Sequence, residues 1–265
     1  MTKVAWVTGG SRGMGADTAI QLAQAGYDVA LTARDQARLD GVAKQIAALG
    51  REALPFAADL TDRGAVMAFA DAAVERFGRC DVLCNIAIYQ GQGAFELFLD
   101  TTPDDFAVTY AADVIAPVVL CQRAIPLMVA DGGGTIVNMS SSSVFLDPPG
   151  TVKDSGWSLA YVAAKAGIDQ FASILNVELG AEGIRAFNVE PGFVAYGEEL
   201  ARMLDKYPGM PVSPPESIGP AILWLVEAGD AAERLRSKRI NLPGLTHKQG
   251  LLEGWGGPGS AYPPA

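Results

Sequence analysis

The amino-acid sequence predicts an α/β fold in which helices cover both faces of a doubly wound parallel sheet, giving three layers. Two observations lead to this class. Apolar runs of strand length alternate with stretches of helical periodicity along most of the chain. A glycine-rich turn follows the first apolar run and opens the first helical stretch. The 265 residues contain no internal repeat and no linker, so we expect one domain over residues 1–265.

The predicted strands are apolar runs, and glycines mark the ends of several helices. The strands cover residues 4–7, 28–33, 53–57, 81–88, 135–139 and 184–189, with a last one near Ile240. The first helix presents Ala16, Ala19, Ile20 and Ala23 on one face, and later helices cover 36–49, 66–77, 103–130, 159–179 and 216–227. Gly26, Gly50 and Gly78 supply stop signals for the first three helices.

Three stretches stand apart from this alternation. The helix 103–130 is apolar nearly all round, which indicates burial against a partner subunit as well as the sheet. The irregular segment 193–215 contains four prolines, and a long insert of this kind is typical of a cover over a substrate. The Gly/Pro-rich tail 254–265 is expected to be disordered, or else to strap across a neighbouring subunit.

Composition excludes several classes of function. A formal net charge of -10 argues against nucleic acid, because binding to phosphates depends on lysine and arginine. The odd set Cys80, Cys84 and Cys121 indicates buried reduced thiols rather than disulfides. We expect no membrane span and no targeting segment before the first strand. With a single histidine and scattered cysteines we expect no metal site, and the protein is expected to be cytoplasmic.

The glycine-rich turn, residues 8–15, has the pattern of a phosphate cradle. Glycines allow the backbone to approach a pyrophosphate closely, and the helix that begins there presents unpaired N–H groups. We expect Ser11, Arg12 and Met14 to contact the ligand together with the glycines of this turn. A turn of this type alone is weak evidence of binding, so the assignment depends on residues further along the chain.

A tyrosine and a lysine that lie one turn apart supply the candidate chemistry. Tyr161 and Lys165 share one helix face, where the ammonium is expected to move the phenol pKa towards neutrality. The serines 140–143 end the fifth strand, and the carboxyl ends of parallel strands are where open α/β sheets bind ligands. The cradle, the serines and the Tyr/Lys helix are therefore expected at one edge of the sheet.

Over about residues 3–228 the chain resembles the short-chain dehydrogenase/reductase family, whose fold is Rossmann-like. Its motifs match here as TGxxxGxG at Gly9, Gly13 and Gly15, the pair Asp59-Leu60, the catalytic Ser141, YxxxK at Tyr161 and Lys165, and the turn Pro191-Gly192. The resemblance implies that Ser141 bonds the substrate oxygen, Tyr161 exchanges a proton with it, and Lys165 holds the nicotinamide ribose. It also implies cofactor contacts at Asn85, Ala87 and Val194, and a homodimer or homotetramer.

The chain departs from this family at several positions. Asn85-Ile86-Ala87-Ile88 stands where the family has NNAG, Asp113 replaces a catalytic asparagine, and Tyr196 replaces a common threonine. In the family, a main-chain carbonyl at the asparagine holds a water linked to the lysine. Pro117 lacks an N–H and is expected to leave the Asp113 carbonyl free for that role, or else to mark a break after which Asp113 caps a second helix.

The residues at the end of the second strand predict NADP(H) as the cofactor, with NAD(H) still possible. Ala33 stands where an acidic residue would receive the ribose 2′-hydroxyl of NAD, and Arg34 follows it. Arg12 lies in the cradle itself, and two guanidinium groups can bind a 2′-phosphate. The expected substrate is a small carbonyl compound or secondary alcohol of apolar character.

Two other functions are compatible with parts of the sequence. Residues 9–13 also spell GxSxG, and His247 lies downstream, as in a hydrolase; however, only one strand precedes Ser11, whereas that fold builds its oxyanion hole from an earlier strand loop. A cofactor-binding redox sensor without turnover is the stronger rival, because Asp113 and Ile88 depart from the enzyme pattern. Consumption of reduced cofactor with carbonyl compounds would discriminate between the two.

Overall fold

A computed structural model of the protein describes residues 2–195, 200–201, 204–205, 211–236 and 238–262. Seven parallel strands form one sheet in the order β3-β2-β1-β4-β5-β6-β9. Their bounds are β1 Val4–Thr8, β2 Asp28–Ala33, β3 Ala53–Ala57, β4 Val82–Asn85, β5 Gly134–Met139, β6 Ile184–Glu190 and β9 Ile240–Asn241. A separate parallel pair joins β7 Phe193–Val194 to β8 Val212–Ser213. The predicted doubly wound α/β fold is confirmed.

Helices cover both faces of this sheet. The first set is α1 Gly13–Gln24, α2 Gln36–Ala48, α3 Arg63–Phe77, α4 Pro103–Tyr110 and α5 Ala116–Ala130, with the π-helical turn Ala111–Ile115 between the last two. The second set is α6 Val152–Ser155, α7 Leu159–Asp169, α8 Phe171–Leu179, α9 Gly219–Glu227, α10 Asp230–Glu233 and α11 Leu242–Gln249. α1, α2 and α9 pack on one face, and α3, α5 and α8 pack on the other. The strand order reverses between β1 and β4, which opens a crevice at their carboxyl ends.

Two elements are shorter than the sequence predicts. The fourth strand ends at Asn85 rather than at residue 88, because the amides of Ile86 and Ala87 donate to Thr8 Oγ1 instead of to a neighbouring strand. The predicted helix 159–179 is interrupted at Gln170. There the side chain of Asn188 donates to the carbonyl of Asp169, which removes an acceptor that a continuous helix would use.

Residues 103–130 form a helical run with one widened turn rather than a regular helix. The amide of Ala116 donates to the carbonyl of Ala111, five residues earlier, as in a π-helix. Pro117 follows at once and cannot donate to the preceding turn. The interpretation that Asp113 caps a second helix is wrong, because its carboxylate instead accepts a hydrogen bond from the amide of Tyr89 at 2.7 Å.

This run has the length and apolar composition of a membrane span, although no such segment was expected from the sequence. Residues Pro103–Ala130 are long and apolar enough to cross a bilayer by length and composition, with a mean hydropathy of 1.6. Half of that apolar window is buried inside the protein, as is usual for a core helix of a sheet protein. Cys80, Cys84 and Cys121 are free and buried, as predicted.

Residues 254–262 pack on the domain instead of being disordered. Trp255 is only 7% exposed and its ring meets that of His247 edge to face. The amide of Gly259 donates to the carbonyl of Val212 at 2.8 Å. The prediction of disorder was therefore wrong for residues 254–262. α10 and α11 were also absent from the sequence prediction, because their apolar faces are too short to give a clear period.

We predict that Asp17→Asn stabilises the protein at neutral and alkaline pH. Asp17 accepts a hydrogen bond from the Gly219 amide at 3.0 Å, and burial, opposed by that bond, raises its pKa to about 6. Because the pKa of Asp17 is higher in the folded than in the unfolded protein, this carboxyl group contributes to stability below its unfolded-state pKa. The contribution is lost as the pH rises through about 6. Asparagine keeps the acceptor without the buried charge, so the expected gain is on the order of 1–3 kcal/mol.

Urea unfolding of both proteins as a function of pH measures this difference. The gain should be full at about pH 8, should shrink as the pH falls through about 6, and should disappear at about pH 3, below the pKa of 3.8 in the unfolded state, where Asp17 is mostly protonated in both states. A difference that is independent of pH would contradict the assignment to the Asp17 charge.

Candidate active site

An open cleft of about 810 Å³ lies at the carboxyl ends of β1, β2 and β4, where the strand order reverses. Its walls include most of the predicted cofactor contacts: Gly9, Ser11, Arg12, Gly13, Met14, Gly15, Arg34, Asp59, Leu60 and Ala87. The sheet topology brings these residues together although they come from four separate loops. A cleft of this volume is typical of a small-molecule site.

The glycine-rich turn has the backbone shape that a pyrophosphate needs. A Cβ on Gly15 would lie 2.3 Å from the carbonyl oxygen of Gly9, and Gly9 and Gly13 adopt φ of 71° and 58°. α1 begins after Arg12 without a side-chain cap among the described residues, and the residues of its first turn, Gly13, Met14 and Gly15, line the cleft. These features fit a dinucleotide, whose pyrophosphate would be held by Gly13, Met14 and Gly15.

Arginine side chains line two parts of the cleft: Arg34 and Arg38 follow β2, and Arg12 lies in the glycine-rich turn after β1. Arg34 is exposed at the cleft wall, and Arg12 Nη2 donates to Gln90 Oε1 at 3.1 Å. Arg38 also lines the cleft and pairs with Asp35 at 3.1 Å. Sequence reasoning missed Arg38, although a further arginine in the first turn of the helix that follows Arg34 is a signal that could have found it.

The Tyr/Lys helix is fixed at its first turn by Ser158. The Ser158 hydroxyl accepts from the Tyr161 amide at 3.1 Å and donates to the Ala94 carbonyl at 2.5 Å. This cap ties α7 to the loop after β4, which is the loop that also lines the cleft. The ring of Phe95, in the same loop, lies 5.6 Å from the ring of Tyr161, a contact that no motif indicated.

Ser141, Tyr161 and Lys165 come together beyond the end of β5. The Ser141 hydroxyl accepts from the Ser143 amide at 3.2 Å and is close enough to Tyr161 to influence its ionisation. Lys165 is 2% exposed; its Nζ lies 6.0 Å from the centre of the Tyr161 ring and donates to the Met139 carbonyl at 2.9 Å.

The expectation that Lys165 moves the Tyr161 pKa towards neutrality was wrong for this structure. Burial raises the pKa of Tyr161 above its usual value, and the charges of Asp113 and Glu190 add to the rise. Hydrogen bonding with Ser141 lowers the pKa in part. The sequence showed the lysine one turn away but not the burial of the phenol or the carboxylates that come from other elements.

Asp113 lies buried in the π-helical turn. Its Oδ1 accepts from the Tyr89 amide, while Oδ2 has no partner among the described residues. Burial raises the pKa of Asp113, and the nearby charge of Lys165 opposes that rise. The position therefore brings a carboxylate close to the Tyr/Lys pair.

The predicted cofactor contacts Asn85, Gly192 and Val194 are not among the residues that line the cleft. Asn85 is buried, and its side chain donates to Asn138 Oδ1 at 2.9 Å, away from the cleft wall. Gly192 follows Pro191 with φ of 64°, and its amide donates to Glu190 Oε2 at 2.9 Å. Val194 lies in the short strand β7 beyond this turn.

Some expectations concern residues outside the described ranges. Tyr196, Met203 and Met210 belong to the expected substrate cover, and they fall in the gaps of the described chain. Within the described ranges, no group of three metal-ligating side chains is found. His247 lies on α11 and is exposed, as expected, although in a helix rather than a loop.

Comparisons with known proteins agree with this geometry. Residues 3–204 match the family model described as short chain dehydrogenase. An uncharacterized oxidoreductase of Mycobacterium tuberculosis is 33% identical over 252 residues, covering 91% of each chain. A 3-oxoacyl-(acyl-carrier-protein) reductase of Staphylococcus aureus is 31% identical over 92% of this chain and 98% of its own. A solved metagenomic short-chain oxidoreductase in complex with NADP gives a TM-score of 0.68 at 32% identity, covering 84% of this chain and 90% of that one.

Proposed function

Because the chain belongs to the short-chain dehydrogenase/reductase family and is a nicotinamide-dependent oxidoreductase of that family, we propose that it uses NADP(H) to interconvert an apolar carbonyl compound and its secondary alcohol. The observation that carries this proposal is the meeting of Ser141, Tyr161 and Lys165 at the carboxyl end of β5, on the same edge of the sheet as the glycine cradle that follows β1. Membership of this family excludes a hydrolase with Ser11 as its nucleophile. The GxSxG match at residues 9–13 belongs to the glycine-rich turn instead.

The proposed chemistry divides between the bound nicotinamide and three side chains. When bound, the nicotinamide ring supplies or accepts the hydride at the substrate carbon. Tyr161 exchanges its hydroxyl proton with the substrate oxygen, and Ser141 donates a hydrogen bond to that oxygen. Lys165, on the same face of α7, holds the ribose and places its positive charge beside the phenol. Gly192 and Val194 border the nicotinamide end.

Exposed apolar side chains in two loops, one that contacts Tyr161 through Phe95 and one that follows Ser141, support an apolar substrate. Phe95 packs on Tyr161, and Phe98 and Leu99 follow in the same loop with 69% and 92% of their surface exposed. Phe145 and Leu146, just after the serine loop, are exposed as well. Apolar surface that is exposed around a reactive group is typical of a binding mouth.

Purified protein, NADPH and a panel of apolar ketones test the proposal against the redox sensor. Consumption of NADPH with at least one ketone supports the enzyme. Saturable NADPH binding without consumption for any member of a broad panel would favour the sensor.

We predict that Arg34→Ala weakens NADPH binding by about 10- to 150-fold and leaves NADH binding nearly unchanged. Only NADPH carries the 2′-phosphate, and a charge-assisted bond to arginine contributes about 1.5–3 kcal/mol. Arg34 is free to turn to this group because it is exposed at the cleft wall. Dissociation constants from fluorescence titration with both cofactors measure the effect.

The matched control is Arg123→Ala, which removes an exposed arginine from α5, where it pairs with Asp71. This variant should bind both cofactors like the parent protein. Equal or tighter binding of NADH by the parent protein would contradict the NADP(H) preference.

The proposal includes a homodimer or homotetramer through the long helices. α8 presents Ile174 and Val177, which are 54% and 84% exposed, and Ile115 in the π-helical turn is also exposed. These side chains would be covered in an assembly of this chain, and the free thiols suit a cytoplasmic location. Light scattering that gives a monomer would exclude the assembly.

A further inference from the structure

Two buried side chains of opposite charge lie close together where the π-helical turn packs against α7. Asp113 and Lys165 are each 2% exposed. The two elements approach closely because residue 167 is glycine: a Cβ there would lie 3.1 Å from side-chain atoms of Tyr110 and of Val114. Burial lowers the pKa of Lys165, and the charge of Asp113 partly restores it.

The hydrogen bonds of Asp113 do not require a carboxylate. Oδ1 accepts from the amide of Tyr89, a contact that the carbonyl of an asparagine side chain would make equally well. Oδ2 is buried and has no partner among the residues that the structure describes. A buried carboxylate oxygen without a hydrogen-bond partner destabilises the fold. Because no hydrogen bond satisfies Oδ2, we expect the charge of Asp113 to act through space on a neighbouring group.

That neighbouring group is Tyr161. Among the described residues, the titratable groups around its phenol are Asp113 from the π-helical turn, Glu190 from the end of β6, and Lys165 from α7. Glu190 is held in place by the amide of Gly192 at 2.9 Å and by Asn241 Nδ2 at 2.6 Å. The phenol thus has two carboxyl groups, those of Asp113 and Glu190, and one amine, that of Lys165, around it. With asparagine at position 113, only the carboxyl group of Glu190 would remain beside the amine.

We propose that Asp113 is a positioning residue whose negative charge, buried close to Lys165, keeps the Tyr161 phenol protonated and thereby adapts this site to carbonyl reduction. The inference rests on the proposed function and gives it a direction. Tyr161 transfers its hydroxyl proton to the carbonyl oxygen while the carbonyl carbon gains a hydride from the reduced nicotinamide. The C=O double bond becomes a single bond, the secondary alcohol leaves, and the phenolate recovers a proton from solvent. Alcohol oxidation would require Tyr161 to begin as a phenolate, which the two carboxylates disfavour.

Ultraviolet titration of the full chain without cofactor tests the inference and needs no turnover. The phenolate absorbance of the parent protein minus that of Tyr161→Phe isolates the Tyr161 titration. The same difference in an Asp113→Asn background should show the midpoint at least about half a pH unit lower, because one negative charge has been removed. Asp104→Asn, an exposed position at the start of α4, makes the same change in net charge and should leave the midpoint unchanged.

The pH profiles of kcat/KM supply the second readout. In Asp113→Asn the alkaline fall of ketone reduction and the rise of alcohol oxidation should both move to lower pH. A Tyr161 midpoint that stays in place or moves upward in the folded variant would overturn the inference; Asp113→Ser replaces Asp113→Asn if the amide variant does not fold. Absence of turnover with every ketone would refute the proposed function while the titration still decides the role of Asp113.

Discussion

Tyr161→Phe is expected to lower kcat at least ~100-fold while the dissociation constant of NADPH changes less than about 3-fold. General acid–base catalysis contributes about 10² to 10⁴ in rate, and phenylalanine has no proton to exchange. The ring can remain where it packs against Phe95, so the shape of the site is retained. Steady-state kinetics with a ketone found active for the parent protein, together with a direct binding titration, measure both quantities.

Tyr27→Phe is the matched control for this variant. It removes the same hydroxyl from a buried tyrosine that lies before β2, at the opposite edge of the sheet from the proposed site. This variant should keep the parent turnover. Near-normal rates in Tyr161→Phe would show that another group donates the proton, and equal losses in both variants would point to stability instead of chemistry.

Gly15→Ala is expected to weaken NADPH binding by about 10- to 100-fold. The new Cβ would lie 2.3 Å from the carbonyl oxygen of Gly9, so the backbone of the cradle must move. Overpacking of this kind costs about 1–3 kcal/mol, which corresponds to that range in affinity when the strain is relieved at the binding site. Fluorescence titration with NADPH measures the loss, and circular dichroism checks the fold.

Gly41→Ala provides the comparison, because Gly41 is an exposed glycine inside α2 with no atom within 4 Å of its ideal Cβ. There alanine should leave NADPH binding unchanged and should stabilise the helix by up to about 1 kcal/mol. Unchanged NADPH affinity in Gly15→Ala would show that the cradle tolerates a side chain and would contradict the proposed pyrophosphate contact.

The sequence alone was sufficient for the fold class and for most of the cleft. The strand runs and the glycine turn depend on local periodicity and backbone freedom, which are properties of neighbouring residues. Arg12 and Arg34 could both be placed at the cleft, which they line, because the carboxyl ends of parallel strands meet at one edge. For the same reason Ser141 and Tyr161 could be expected near each other, and in the structure they are close enough to interact.

Only the tertiary structure decided the environment of those residues. The widened turn at Asp113, the break at Gln170 and the packing of Trp255 depend on contacts with distant parts of the chain. The ionisation of Tyr161 is the clearest case. Its nearest charge along the helix predicted a lowered pKa, but burial and two carboxylates from other elements raise it. Electrostatic interactions depend on distance and burial in three dimensions, so spacing along the chain could identify the acid but not its proton affinity.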